Sequence, residues 1–335
     1  MASRQWNPSI DMPDLNGKVA VVTGGRRVSA LRLILFLALK GAKVYLTTRS
    51  EARARQARDK LTNNTGINAR NVQHLIMDLY DPVSITHAVE DLKRKETKLH
   101  ILINNAAAST SPIMLVDGKY KQHMVANHMG PFILTNRLLP LLKAAAKDPD
   151  ADVRVVNLSS MAMNSMLPAS FKFSSDSPTC FKEPVASYPW QWRYLGRFMF
   201  GFDMIRYAVS KTAVELFTQE LQARLEQQNL PITCVAVYPG EVLTEGVLSI
   251  NNFVMRAIAR ASFLNAEHGA ANFLFAATAE DALKFKGKFI VPVGKLEEPN
   301  PVAKDDRQVK GLWENTGIEV NQWLTEKNVA LLEAW

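Results

Sequence analysis

The chain predicts an α/β fold, a doubly wound three-layer arrangement around a mainly parallel sheet of about seven strands, and three observations carry that expectation. Short β-branched runs alternate with helix-compatible stretches along most of the 335 residues. Each run ends in a cluster of small or polar residues, and no Gly/Ser linker, repeat or low-complexity segment divides the chain. One domain over 1–335 is therefore expected, with a core at 17–293, an insert at 161–203 and a helical tail at 294–335.

The first strand is Lys18-Val19-Ala20-Val21-Val22, ending in Thr23-Gly24-Gly25; a helix from Ala30 to Lys40 follows and stops at Gly41-Ala42. Its apolar run Leu33 to Leu39 is too short to span a bilayer and suits a helix buried against the sheet. The second strand, Lys43 to Thr48, closes on Arg49-Ser50. The third, Val72 to Met77, closes on Asp78-Leu79, and the fourth, Ile101 to Ile103, on Asn104-Asn105-Ala106-Ala107. The fifth, Val153 to Leu158, delivers Ser159-Ser160, and the sixth, Ile232 to Tyr238, delivers Pro239 to Thr244. Open α/β sheets bind ligands at such carboxyl ends.

Arg206-Tyr207-Ala208-Val209-Ser210-Lys211 places a phenol and an ammonium four residues apart, on one face of a helix. A fixed positive charge favours the phenolate, so such a pair exchanges protons with a substrate oxygen nearer neutral pH than a free tyrosine of pKa ~10. The spacing alone also occurs on solvated helices, and it gains meaning from the ordered strand-end motifs.

Those motifs together resemble the short-chain dehydrogenase/reductase family from about Gly17 to Val293, and the segment Gly311-Leu312-Trp313-Glu314 with the helix after it resembles the tail of its retinol-dehydrogenase-like and microbial natural-product branches. The resemblance implies a Rossmann fold and a catalytic tetrad of Asn127, Ser160, Tyr207 and Lys211. Asn127 lies in Met124-Val125-Ala126-Asn127-His128-Met129-Gly130 and would support a water-mediated proton path; Ser160 would hydrogen-bond the substrate oxygen. Tyr207 would move its proton, while Lys211 tunes Tyr207 and holds ribose hydroxyls.

The cofactor turn departs from the family pattern Thr-Gly-x-x-x-Gly-x-Gly. Of its glycines only Gly24 is kept, with Val28 and Ala30 at the other two positions and Ala107 replacing a glycine after the fourth strand. Val28 is β-branched and would crowd the phosphate approach, and a left-handed φ there would cost about 1–3 kcal/mol. Either the turn has shifted and keeps a dinucleotide, or redox binding has faded. Arg27 and Arg49 favour the first explanation, because no acid closes the second strand to grip a free 2′-hydroxyl. The resemblance thus implies NADP(H), with Gly24, Arg26, Arg27, Val28, Arg49, Asp78, Asn105, Val242 and Thr244 around it, Tyr207 and Lys211 at its nicotinamide end, and Ser50 assisting. A solvated basic rim is the alternative for the arginines.

The insert carries Phe171, Phe173, Phe181, Tyr188, Trp190, Trp192, Tyr194, Phe198, Phe200 and Phe202. It reads as a wall for a bulky lipophilic substrate, against a subunit contact or plain packing. Residues 245–263 would complete the pocket. The tail, with Leu312, Trp313, Ile318, Trp323, Leu324, Leu331 and Leu332, reads as a docking amphipathic helix from about Gln308.

A net charge of +8 is scattered over most helices without a nucleic-acid-binding pattern, and the six histidines show no metal-ligand spacing. Cys180 and Cys234 suit reduced thiols in a cytoplasmic setting. The start, Met1 to Leu15, lacks an apolar signal core. NADP(H)-dependent carbonyl reduction or alcohol oxidation of a lipophilic small molecule is the leading expectation. A non-redox cyclase or isomerase using Tyr207 and Ser160 is the alternative, and an idle scaffold has no need of the tetrad. A homodimer is left open.

Overall fold

The computed structural model describes residues 4–25, 28–63, 65–108, 114–165, 177, 179–183, 204–240 and 266–335. Eight strands form one sheet: β1 Val19–Val22, β2 Lys43–Thr48, β3 Val72–Ile76, β4 Ile101–Asn104, β5 Val153–Leu158, β6 Ile232–Val237, β7 Phe289–Val291 and β8 Lys295–Leu296. Their order is β8-β7-β6-β5-β4-β1-β2-β3. All neighbours pair parallel except β8, which turns back antiparallel on β7. The strand succession reverses between β1 and β4, so a crevice is expected outside their carboxyl ends.

The strands of the sheet's interior are buried and mainly apolar on both faces because helices cover both. Val19 and Val21 of β1 point into one buried cluster and Ala20 and Val22 into the other, the period of two expected of a pleated strand. On the second face lie α1 (Val28–Leu39), α2 (Glu51–Thr62) and α6 (Ala266–Thr278), which contribute Leu33, Ile34, Leu37, Leu61, Phe273 and Leu274. In the apolar run of α1, Leu33, Ile34, Leu37 and Ala38 are buried, Leu35 and Phe36 are half-buried, and Leu39 is exposed at its end.

The first face carries α3 (Pro82–Lys95), α4 (Gly130–Ala145), α5 (Met204–Gln227) and α7 (Asp306–Glu326). Asp81 caps α3 by accepting from the Val83 amide at 3.0 Å, with Pro82 at the first helical position. Asp305 caps α7 in the same way, from the Arg307 amide at 3.0 Å.

The tail docks as a helix, beginning two residues before the expected start. Trp313 inserts beside Phe132 of α4 at 5.0 Å and Phe217 of α5 at 5.9 Å, and Trp335 closes on it at 4.5 Å. Ile318, expected on the docking face, is instead 60% exposed, and Leu331 is exposed as well. On α7 the inward positions around Ile318 are held by Thr316, Glu319 and Val320. The last residues are held by polar contacts: the Arg137 guanidinium donates to the Leu331 carbonyl at 2.7 Å and to that of Ala330, and Asn136 exchanges two 2.9 Å bonds with the Glu333 backbone.

Candidate active site

At the end of β1 the chain turns through Thr23, Gly24 and Gly25. Gly24 has φ +79°, and a Cβ there would stand 3.1 Å from Ala106 Cα, so both its conformation and its closeness to the β4 end require glycine. A Cβ on Gly25 would meet Leu46 of β2 at 2.9 Å. The turn is held from both sides. The Asn105 side-chain amide donates to the Thr23 carbonyl at 2.9 Å, Thr23 Oγ1 accepts from the Ala106 amide at 2.9 Å, and the Gly24 amide donates to Thr47 Oγ1 at 3.3 Å. Sequence reasoning does not reach the roles of Thr23, Gly25 and Thr47; only the Gly24-Gly25 pair carries a signal for them.

Val28 is the first residue of α1 and so has right-handed helical backbone. The strain considered for a left-handed φ there does not arise. Ala30 is fully buried in the helix. Arg26, Arg27, Val242 and Thr244 lie outside the described residues, as do 245–263 and most of the aromatic insert.

Arg49 is exposed at the end of β2, and Ser50 precedes α2. The next acid, Glu51, is paired with His74 Nε2 at 3.0 Å. Asp78, half-buried after β3, accepts from the Tyr80 amide at 3.1 Å, while its own amide donates to Ser84 Oγ at 3.0 Å.

Asn127, Ser159, Tyr207, Ser210 and Lys211 form a connected set. Lys211 is 1% exposed, and its Nζ donates to the Leu158 carbonyl at 2.6 Å. The same ammonium lies 5.7 Å from the centre of the Tyr207 ring. Ser159 is buried and donates from Oγ to the Lys211 carbonyl at 3.3 Å, tying the end of β5 to α5 a second time. Ser160 is only half-buried, and its Oγ accepts from the Ala162 amide at 3.2 Å.

Asn127 sits in a π turn, Val125–Met129, directly before α4. Such wide turns are rare and are frequent at functional sites. A Cβ on Gly130, at the end of the turn, would come within 2.6 Å of the Leu79 carbonyl, so glycine permits that close approach. The Asn127 side chain is fully engaged. Its Oδ1 accepts from the Ala108 amide at 2.7 Å, and its Nδ2 donates to the Ala108 carbonyl at 3.0 Å and to Ser210 Oγ at 2.8 Å. Ser210 in turn donates to the Tyr207 carbonyl at 2.7 Å. Thus the loop after β4, the π turn and α5 are locked together. In the sequence Ser210 is legible only as a neighbour of the Tyr-Lys pair.

Two buried groups nearby depart from ordinary titration. Burial holds His128 down to about 3, so it is neutral at any working pH. Burial pushes Glu215, one turn past Lys211, up to about 8, and neither of its oxygens has a close hydrogen-bond partner. Phe181 is the aromatic of the insert that lies among the described residues. It is fully buried and lies parallel to His128 at 6.2 Å, so this ring packs on the body of the fold and does not wall a pocket.

Comparison with known proteins follows the same lines. The family described as short chain dehydrogenase matches residues 18–175. A short chain dehydrogenase/reductase of Colletotrichum higginsianum is 35% identical over 321 residues, covering 94% of this chain and 77% of the relative. The chain belongs to the short-chain dehydrogenase/reductase family. Mouse retinol dehydrogenase 12 is 34% identical over 302 residues, covering 89% of this chain and 84% of that protein. Among solved structures, a protein of Mycobacterium paratuberculosis has a TM-score of 0.68 at 23% identity, covering 95% of this chain and 98% of its own. NADPH-bound carbonyl reductase from chicken fatty liver has a TM-score of 0.59 at 21% identity, covering 84% and 99%. These structures share the Rossmann fold, and family membership makes the chain an oxidoreductase-type enzyme. Both cysteines are free and buried, no cluster among the described residues could hold a metal, and no described helix is long and apolar enough to cross a membrane.

Proposed function

We propose that the chain reduces a ketone or aldehyde, or oxidises the corresponding alcohol, on a bulky lipophilic small molecule with NADP(H) as cofactor. The observation that carries this reading is the buried Lys211 ammonium, fixed on the Leu158 carbonyl at 2.6 Å and 5.7 Å from the Tyr207 ring. A cation held there favours the ionised phenol electrostatically, so Tyr207 serves as the acid and base for the substrate oxygen. Ser160, half-buried with its hydroxyl proton available, hydrogen-bonds that oxygen. Asn127 holds the Ala108 loop against α5 and so keeps Tyr207 in register with the end of β4.

The residues present fit a nicotinamide dinucleotide. Gly24 keeps the β1 turn free of a side chain that would press on Ala106, and the turn sits where the strand order reverses. When bound, the dinucleotide supplies or accepts the hydride. Gly24, Val28, Asp78 and Asn105 lie about the turn and strand ends, with Arg26, Arg27, Val242 and Thr244 as further candidates. Arg49, exposed at the β2 end while Glu51 is paired with His74, suits a 2′-phosphate. Asn105 contributes by bracing the turn, since its amide is committed to Thr23. The non-redox alternative drew on crowding of the phosphate approach by Val28 and on strain at a left-handed φ there; a helical Val28 removes the strain part of that support. The lipophilic substrate class draws on the aromatic insert and on the similarity to a retinol dehydrogenase.

Tyr207→Phe tests the reading. Turnover of a ketone or alcohol panel should be lost while NADPH affinity stays within a few-fold; retained turnover would exclude Tyr207 as the acid–base group.

A further inference from the structure

His128 is the one polar side chain of the π turn besides Asn127, and it points the other way, into the interior beneath α7. It is 1% exposed. Its ring lies among Phe132 of α4 at 6.0 Å, Phe217 of α5 at 5.9 Å and Phe181 of the short helix Thr179–Lys182 at 6.2 Å. Its Nε2 is 2.8 Å from Thr316 Oγ1 on α7. The Thr316 hydroxyl donates to the Leu312 carbonyl at 2.5 Å, so its oxygen is left as the acceptor and His128 Nε2–H as the donor. Nδ1 is then an unprotonated nitrogen, and it has no partner. Buried polar atoms are nearly always hydrogen-bonded, so an imidazole buried with one nitrogen unsatisfied calls for an explanation.

We infer that α7, through the Thr316–His128 hydrogen bond, fixes the π turn and thereby the aim of the Asn127 side chain, which makes Thr316 and His128 positioning residues for the site. Adjacent residues of one helical turn cannot rotate independently. With Nε2–H held on Thr316, rotation of the turn about its axis would break that bond, and the three Asn127 bonds to Ala108 and Ser210 depend on the same rotation. The tail helix is itself fastened to the hairpin of Leu115–Val116 and Tyr120–Lys121 that leads into this turn, and to the short helix Thr179–Lys182. Glu319 accepts from Tyr120 at 3.1 Å and from Lys182 at 3.3 Å, and Asp117 accepts from Trp323 Nε1 at 2.7 Å. A helix far later in the chain thus reaches the catalytic turn through a polar contact set in an apolar surround. The consequence for turnover rests on the catalytic reading above; the mechanical coupling does not.

The test is amide hydrogen exchange of the full chain at single-residue resolution, with no ligand present. The Ala108 amide, held by Asn127 Oδ1, reports the clamp; the Ala106 amide, held by Thr23, is the control. Thr316→Val keeps the volume and removes the acceptor, Thr316→Ser keeps the hydroxyl, and His128→Phe keeps a ring without either nitrogen. Exchange at Ala108 should rise roughly tenfold, the equilibrium worth of one neutral hydrogen bond, in Thr316→Val and His128→Phe, and stay near wild type in Thr316→Ser, with Ala106 unmoved in all three. Unchanged Ala108 exchange in both variants overturns the inference. So does faster exchange in Thr316→Val alone, because an unpaired imidazole would then be the cause. Where wild type turns over a substrate, the same two variants should lower kcat without changing the NADPH Kd. A wild type that binds no nicotinamide cofactor would remove the catalytic reading and leave the exchange result to decide the coupling.

Discussion

Glu215 gives the fold a pH dependence that a single substitution should erase. It is 1% exposed on α5, one turn past Lys211, and faces Glu297, the Asn300 backbone and Lys304 of the segment that leads into α7. Burial pushes its carboxyl from 4.5 to about 8, so the folded state holds a proton that the unfolded chain has released. Between those values the folded state binds more protons than the unfolded state, and stability falls as pH rises; below about 4.5 the penalty is absent, and above about 8 it is complete. One proton held by the folded state alone costs about 1.4 kcal/mol for each pH unit crossed, so the loss from about pH 5 to about pH 8 is on the order of 3 kcal/mol. Glu215→Gln has nearly the shape of the protonated acid and does not titrate. Urea unfolding of both proteins at about pH 5, 6.5 and 8 should show the wild type losing ground to the variant across this range by about that amount, with equal m values. Parallel stability profiles would mean that Glu215 titrates alike in both states and carries no such penalty.

Three further outcomes follow from local geometry. Gly24→Ala forces a Cβ onto a left-handed residue 3.1 Å from Ala106, and should cost about 1–3 kcal/mol in thermal or urea unfolding together with a loss of NADPH affinity. Arg137→Ala leaves the Ala330 and Leu331 carbonyls without their donor; a loss of about 2 kcal/mol is expected, with residues 328–335 becoming the first site of limited proteolysis. Lys211→Ala removes the ammonium from Leu158 and Tyr207, and should lower both turnover and cofactor affinity, in contrast to Tyr207→Phe.

Strands β2 and β5 are legible residue for residue, because Lys43 to Thr48 and Val153 to Leu158 are unbroken runs with high strand preference bounded by polar turns. The antiparallel β8 is not, since two exposed residues after Gly294 carry no alternation to read. The hairpin pairing Leu115–Val116 with Tyr120–Lys121 escapes the strand pattern although its signal is present: Asp117-Gly118, both with positive φ, is a favoured hairpin turn. Ile318 misleads because helical spacing cannot tell which edge of an apolar stripe meets the core. For the candidate site, ordered motifs point to Asn127, Ser160, Tyr207 and Lys211, while the bonds that hold them are invisible in sequence. Ser210, Ser159 and Thr23 act through distant partners, and no local pattern encodes such a partner.

The most direct test of the account is a calorimetric titration of the purified protein with NADPH and with NADH. NADPH should bind with micromolar affinity and NADH more weakly, with the preference reduced in Arg49→Ala. Absence of binding for both nucleotides would contradict it and leave Tyr207 and Lys211 to serve a reaction without hydride transfer.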